Sequence, residues 1–217
     1  MSDTPTAKQI FRKLILPIGV GGLAGFAGAF TFLRLTGGES GLGLTPSQEI
    51  AGLVGMLYVL IALSVMLGVA MPNAGARILN VEDAEELREQ KKQLTYSGAG
   101  MVSLGLALVV LALSGAGLPI APATGAILAI ALVLVATIAT VVMKRFTDEL
   151  QASLSRDAIV TAFYLMFFIG GGWAALAHAE LLASPQPLDW LTMFACTLLV
   201  GAFWQVGRRG LLMRGPN

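Results

Sequence analysis

Six apolar runs, at about residues 14–33, 50–71, 97–118, 123–143, 158–179 and 191–206, follow one another along the chain. A helix needs about 20 mostly apolar residues to cross a hydrocarbon layer. The runs meet that requirement, the last of them when Trp190 and Arg208 mark its two interfaces. None alternates as a barrel strand does, and lipid admits only helices or closed barrels, because each backbone polar group must be satisfied within the spanning structure. The sequence therefore predicts an all-α polytopic membrane protein: a single membrane domain over residues 1–217, a bundle of six transmembrane helices. Of the 217 residues 56% are hydrophobic and 12% charged, where a soluble domain carries roughly a quarter charged.

Lys and Arg close to span ends stay in the cytoplasm. With the N-terminus inside, the inner segments hold Lys8, Arg12, Lys13, Arg77, Arg88, Lys91, Lys92, Lys144, Arg145, Arg156, Arg208, Arg209 and Arg214, and only Arg34 falls outside. An odd number of spans would put the C-terminal arginines or an inner loop on the wrong side. The expected placement is the bacterial inner (plasma) membrane, multi-pass, N-in and C-in.

Lys8, Arg12 and Lys13 ahead of an apolar stretch ending in Ala27-Gly28-Ala29 have the plan of a secretory signal. Apolarity continues through Phe30, Phe32 and Leu33, so the expectation is an uncleaved helix, with Pro17 tolerated in its first turn.

The outer connections, at 34–49, 118–122 and 180–189, are too short for a folded outer domain. In the first, Thr45-Pro46-Ser47-Gln48 reads as a helix start: threonine caps, proline takes the first helical position, and glutamine reaches back to the cap amide.

The inner loops have a different character. Glu82, Asp83, Glu85 and Glu86 precede Arg88, Lys91 and Lys92, an order that suits the helix macrodipole. Glu85 with Arg88, and Glu89 with Lys92, stand at three-residue spacing. A cytoplasmic helix over about 81–93, running on into the third span, is expected. In the second inner loop Phe146, Leu150 and Leu154 recur every four residues among Asp148, Glu149, Arg156 and Asp157. Each loop thus carries a thin apolar stripe, Ala84, Leu87 and Leu94 in the first, which packs either within the chain or against a partner. The candidate contact residues are Glu85, Glu86, Leu87, Arg88, Glu89, Leu94, Asp148, Glu149, Leu150 and Leu154.

Superposing Glu86-Leu87 on Glu149-Leu150, an offset of 63 residues, aligns two units of span, acidic inner segment and span. Coincidence and duplication explain this equally well. Asp148-Glu149-Leu150-Gln151, Ser155-Arg156-Asp157-Ala158 and, more faintly, Glu85-Glu86-Leu87-Arg88 give about half the chain a further likeness. In these residues it resembles a loose group of uncharacterised bacterial and archaeal multi-spanning membrane proteins with a short Asp-Glu-rich cytoplasmic segment between spans. The resemblance implies no chemistry, and implies a role such as membrane-side regulation of cytosolic factors.

Cys196 and His178 are each the single residue of their type, so one chain can build neither a disulfide nor a Cys/His metal cluster nor a bis-histidine haem site. Cys196 reads as a small packing residue. His178 and Glu180 lie at an outer edge, at a spacing that does not put them face to face. No Asp, Glu, Lys, Arg or His stands at bilayer depth, where an ion-coupled transporter would keep one. The deep hydroxyls Ser64, Ser103, Thr137, Thr140 and Thr161 are explained by bonding to backbone on their own helix. Glycine-rich runs at lipid depth cannot serve as phosphate loops. Gly21, Gly25 and Ala29 instead form a smooth helix-packing face, and Gly170, Gly171 and Gly172 a second one or a kink.

No cofactor is expected, and a formal charge of +1 supplies no field to recruit nucleic acid. The polar residues do not converge at one depth, which argues against an intramembrane enzyme. The expected function is that of a non-enzymatic accessory subunit or regulator, contacting another membrane or cytosolic protein, or a second copy, through inner loops and glycine-faced spans. Its other expected partner is membrane lipid. The alternative is a small uncoupled transporter or channel, dimeric if hydroxyls from two chains line the path.

Overall fold

A computed structural model describes residues 16–37, 41–78 and 84–209. Lys8, Arg12, Lys13, Glu82, Asp83 and Arg214 lie outside the described residues, as does the side chain of Arg77. The helices are α1 (Leu16–Thr36), α2 (Pro46–Ala70), α3 (Pro72–Ile78), α4 (Ala84–Glu89), α5 (Lys91–Ala112), α6 (Pro122–Met143), α7 (Glu149–His178) and α8 (Pro187–Arg208), with a 3₁₀ turn at Lys144–Phe146. Five of them, α2, α5, α6 continued by the 3₁₀ turn, α7 and α8, are long and apolar enough to cross a membrane.

Packing arranges α6, α5, α2, α8 and α7 in a row, with α1 set against α2. One end of the row gathers the segments 41–45, 113–121 and 179–186. The opposite, charged end carries α3, α4, the 3₁₀ turn and the start of α7.

The long helices meet through small residues. A Cβ on Gly55 of α2 would fall 2.6 Å from the carbonyl oxygen of Gly105 on α5, and the converse distance is also 2.6 Å. One crossing thus brings backbone against backbone, gaining dispersion contacts that a larger side chain would prevent. Gly201 of α8 lies as tightly on α7, where its Cβ would come 2.5 Å from the Ala158 carbonyl oxygen. On α1, the Phe32 ring covers Gly52 of α2.

Polar groups add specific links. Tyr58 on α2 donates its hydroxyl to the Ala195 carbonyl on α8 at 2.8 Å, which ties the α7–α8 hairpin to the central helix. Gln205, buried on α8, donates to Thr161 Oγ1 on α7 at 2.9 Å. Thr161 donates in turn to the Asp157 carbonyl on its own helix at 2.8 Å. Ser64, Thr137 and Thr140 make the expected bonds to the carbonyl four residues earlier.

Some elements depart from the sequence reading. The third apolar run spans about 97–118, whereas α5 occupies Lys91–Ala112. The helix begins at Lys91, within the stretch where the inner helix is expected to run on into this span. It stops early because Leu113, Ser114 and Gly115 enter a turn in which Gly117 holds φ +80°, open to glycine at no steric cost. The single helix expected over 81–93 is divided at Gln90 into α4 and α5. By contrast, α7 runs unbroken through Gly170, Gly171 and Gly172, so the triple glycine produces no helix break.

Candidate functional site

At the charged end, Asp148 caps α7, its carboxylate accepting the Gln151 amide at 2.7 Å. The Gln151 side-chain oxygen is itself buried with no hydrogen-bond partner among the described residues. Arg209, at the end of α8, bridges to Asp157 and donates to Ser153 at 3.0 Å, fastening the two helix ends together. Arg88 pairs with Glu85 at 2.8 Å, as their three-residue spacing allows, and Gln90 donates to Glu86 at 3.0 Å.

The residues singled out as contacts divide by position. Glu85, Arg88, Glu89, Asp148, Glu149 and Leu150 are exposed, while Glu86, Leu94 and Leu154 are half-buried. Leu87 is 1% exposed and belongs to the core, so it offers no surface to an outside partner. Its counterpart in the proposed repeat, Leu150, is 44% exposed, and the two acidic segments therefore sit in different surroundings.

The glycine faces divide as well. Gly170 is buried against Trp190, whose Cζ3 would lie 3.0 Å from an added Cβ, and Gly28 meets Leu60 at the same distance. Trp190 on α8 thus packs against α7, whereas Trp204 is exposed near the charged end. Among the described residues, nothing lies within 4 Å of a Cβ added to Gly19, Gly21, Gly22 or Gly25 on α1, or to Gly171 or Gly172 on α7. Ala29 is half-buried.

At the connection end lies a feature that the sequence reading missed, a groove of about 900 Å³. It is framed by the starts of α2, α6 and α8, each with proline in its first turn. The α2 start has the expected capping box: Gln48 accepts from the Thr45 amide at 2.9 Å, and the Gln48 amide donates to Thr45 Oγ1 at 3.4 Å. The Gln48 amide group also donates to the Ser114 carbonyl at 3.3 Å, joining α2 to the end of α5. Asp189 closes a second capping box at the α8 start, accepting from the Gln186 amide at 2.7 Å. Trp173 walls one side and donates its indole N–H to the Ala183 carbonyl at 2.8 Å. Mostly apolar walls with a few oriented polar groups have the size and character of a small-molecule cleft. The visible signal was the recurrence of proline at three helix starts, at positions 46, 122 and 187.

His178 ends α7, and Glu180 follows with φ +60°. Cys196 is half-buried on α8. Among the described residues, no group of three or more His, Cys, Asp and Glu is placed to hold a metal ion. No protein-family model, curated protein or solved structure matches the chain.

Proposed function

We propose that the chain is a non-enzymatic integral protein of a bacterial inner membrane, with α1 as a sixth span and both termini in the cytoplasm. It acts as an accessory subunit or regulator that takes a partner along its open glycine faces and at its charged end. The observation that carries this reading is the contrast between two sets of glycines. Gly55, Gly105 and Gly201 are filled by the chain's own helices, whereas Gly21, Gly25, Gly171 and Gly172 are open. Glycine in a helix interior destabilises it by roughly 0.5–1 kcal/mol relative to alanine, so an unfilled glycine face finds its compensation in a helix from another chain. Glu85, Arg88, Glu89, Glu149 and Leu150 are exposed at the charged end.

The test is purification in mild detergent, followed by identification of any stoichiometric partner. Glu85, Glu86 and Glu89 are then exchanged for lysine, and separately Gly21 and Gly25 for leucine. The reading expects insertion to persist and capture to be lost in both variants. Capture that survives both removes these surfaces as contacts. Topology is checked in the lysine variant, because charge near a span influences orientation.

The groove favours a second reading, a small uncoupled transporter or channel. Solute flux in liposomes containing this chain alone supports it; absence of flux alongside stoichiometric capture supports the first.

A further inference from the structure

We propose that the groove at the connection end binds a free organic cation, a protonated amine carried on an apolar ring or chain, with Asp189 as its counter-ion and Trp173 as its aromatic wall. The site rests on the groove that favours the transporter reading, and it requires binding alone, not passage through the chain.

The charge of the groove is one-sided. Asp189 lines it, and no Lys, Arg or His among the described residues does. The Asp189 side chain is half-buried and accepts the Gln186 amide through Oδ2 at 2.7 Å. Among the described residues Asp189 enters no ion pair, and its Oδ1 accepts no hydrogen bond. Partial burial reduces the screening of such a carboxylate, so an approaching cation is attracted more strongly than at an open surface.

The hydrogen-bond inventory points the same way. Four donors around the groove are committed to acceptors of the chain itself. Trp173 Nε1 donates to the Ala183 carbonyl at 2.8 Å, and Gln48 Nε2 to the Ser114 carbonyl at 3.3 Å. Ser114 Oγ donates to the Val110 carbonyl at 2.6 Å, and Thr45 Oγ1 to Gln48 Oε1 at 3.1 Å. Hydroxyl and carbonyl oxygens keep lone pairs after these bonds form, whereas the indole has no second donor. Trp173 therefore offers a ligand its apolar surface and π-electrons, which favour a cation, and the oxygens suit the N–H groups of an ammonium.

The helix starts around the groove do not reverse this preference. Asp189 and Gln48 already cap α8 and α2. The start of α6 shares the groove with Leu111 and Ser114 at the end of α5, so a positive macrodipole end stands beside a negative one.

The remaining walls fix the rest of the ligand. Ile50, Leu111, Leu188 and Leu191 with the three prolines make the lining mostly apolar, and about 900 Å³ accommodates a ring system or a short chain. A zwitterionic lipid headgroup fits less well than a free amine. It would bring a phosphate beside Asp189, and the lining has no cation to pair with it.

The experiment uses the full chain in an uncharged detergent, titrated with dansylcadaverine, a primary ammonium on an aromatic fluorophore, and with its N-acetyl derivative, which keeps the fluorophore and loses the charge. Binding is read from dansyl emission. The site predicts saturable binding of one dansylcadaverine per chain, with the acetylated compound weaker by about tenfold. Asp189→Asn keeps an oxygen for the cap and should abolish that preference, whereas Asp189→Glu, which keeps both charge and cap, should retain it. Trp173→Leu should weaken the cation by about fivefold. Glu180→Gln, at the same end but outside the lining, should change nothing. Equal affinity for the two compounds, or a preference that survives Asp189→Asn, overturns the site. An effect of Glu180→Gln as large as that of Asp189→Asn also overturns it, since diffuse surface charge would then explain the binding. Saturable binding without flux of the same cation in liposomes upholds the site and counts against the transporter; flux that persists unchanged in Asp189→Asn upholds the transporter and overturns the site.

Discussion

Gly55 and Gly105 hold α2 and α5 so close that a methyl group on either would stand 2.6 Å from the other's carbonyl oxygen. The obstructing atom is backbone on both sides, so no side-chain rotation relieves the clash. Gly55→Ala or Gly105→Ala should therefore lower stability by about 1–3 kcal/mol, the range for an overfilled core. Gly172→Ala, with open space around it, should be neutral or slightly stabilising in the isolated chain. Thermal unfolding in detergent, followed by helical signal, compares the three.

Tyr58 binds the Ala195 carbonyl across α2 and α8 at 2.8 Å. Replacing it with phenylalanine keeps the ring and removes the donor. The expected loss is about 0.5–1.5 kcal/mol. Because α8 makes the main contact between the α7–α8 hairpin and the rest of the row, the change should also hasten proteolysis within 179–186. Unchanged cleavage with lowered melting would localise the effect elsewhere.

Gln205 and Thr161 form the buried polar contact between α7 and α8. A double-mutant cycle with Gln205→Leu and Thr161→Val should return a coupling of about 0.6 kcal/mol and at most about 1.7 kcal/mol, the span measured for hydrogen bonds between membrane helices. Additive single changes would show that the bond contributes nothing net.

Arg209 and Asp157 join the same two helices at the charged end, with side chains 29% and 48% exposed. Solvent screens such a pair, so Arg209→Ala should destabilise by less than about 1 kcal/mol, and the difference should shrink as salt is added. The check is melting at low and high ionic strength.

Much of the architecture was legible because helix length and lipid depth are commensurate. Apolar runs of the required length marked every long helix, and Thr45 with Gln48 marked where α2 starts. Helix ends were harder to read. Leu113 is as apolar as the helix before it, yet the chain turns there. Spacing also failed to say which glycines are filled. Gly21 and Gly25 have the more regular pattern, but Gly55, Gly105 and Gly201 make the close crossings, because closeness depends on the neighbouring helix. Leu87 and Leu150 read alike in sequence and differ in burial for the same reason. The groove was hidden because Gln48, Ser114, Trp173 and Asp189 converge only when three helix starts meet.

The account depends most on the charged end facing the cytoplasm. In a Cys196→Ser background, single cysteines at Arg88, Gln151 and Ser184 are treated with a membrane-impermeant maleimide in intact spheroplasts. Labelling of Ser184→Cys alone, with Arg88→Cys and Gln151→Cys modified only after lysis, is the predicted result. Modification of position 88 or 151 in the intact cells would contradict it.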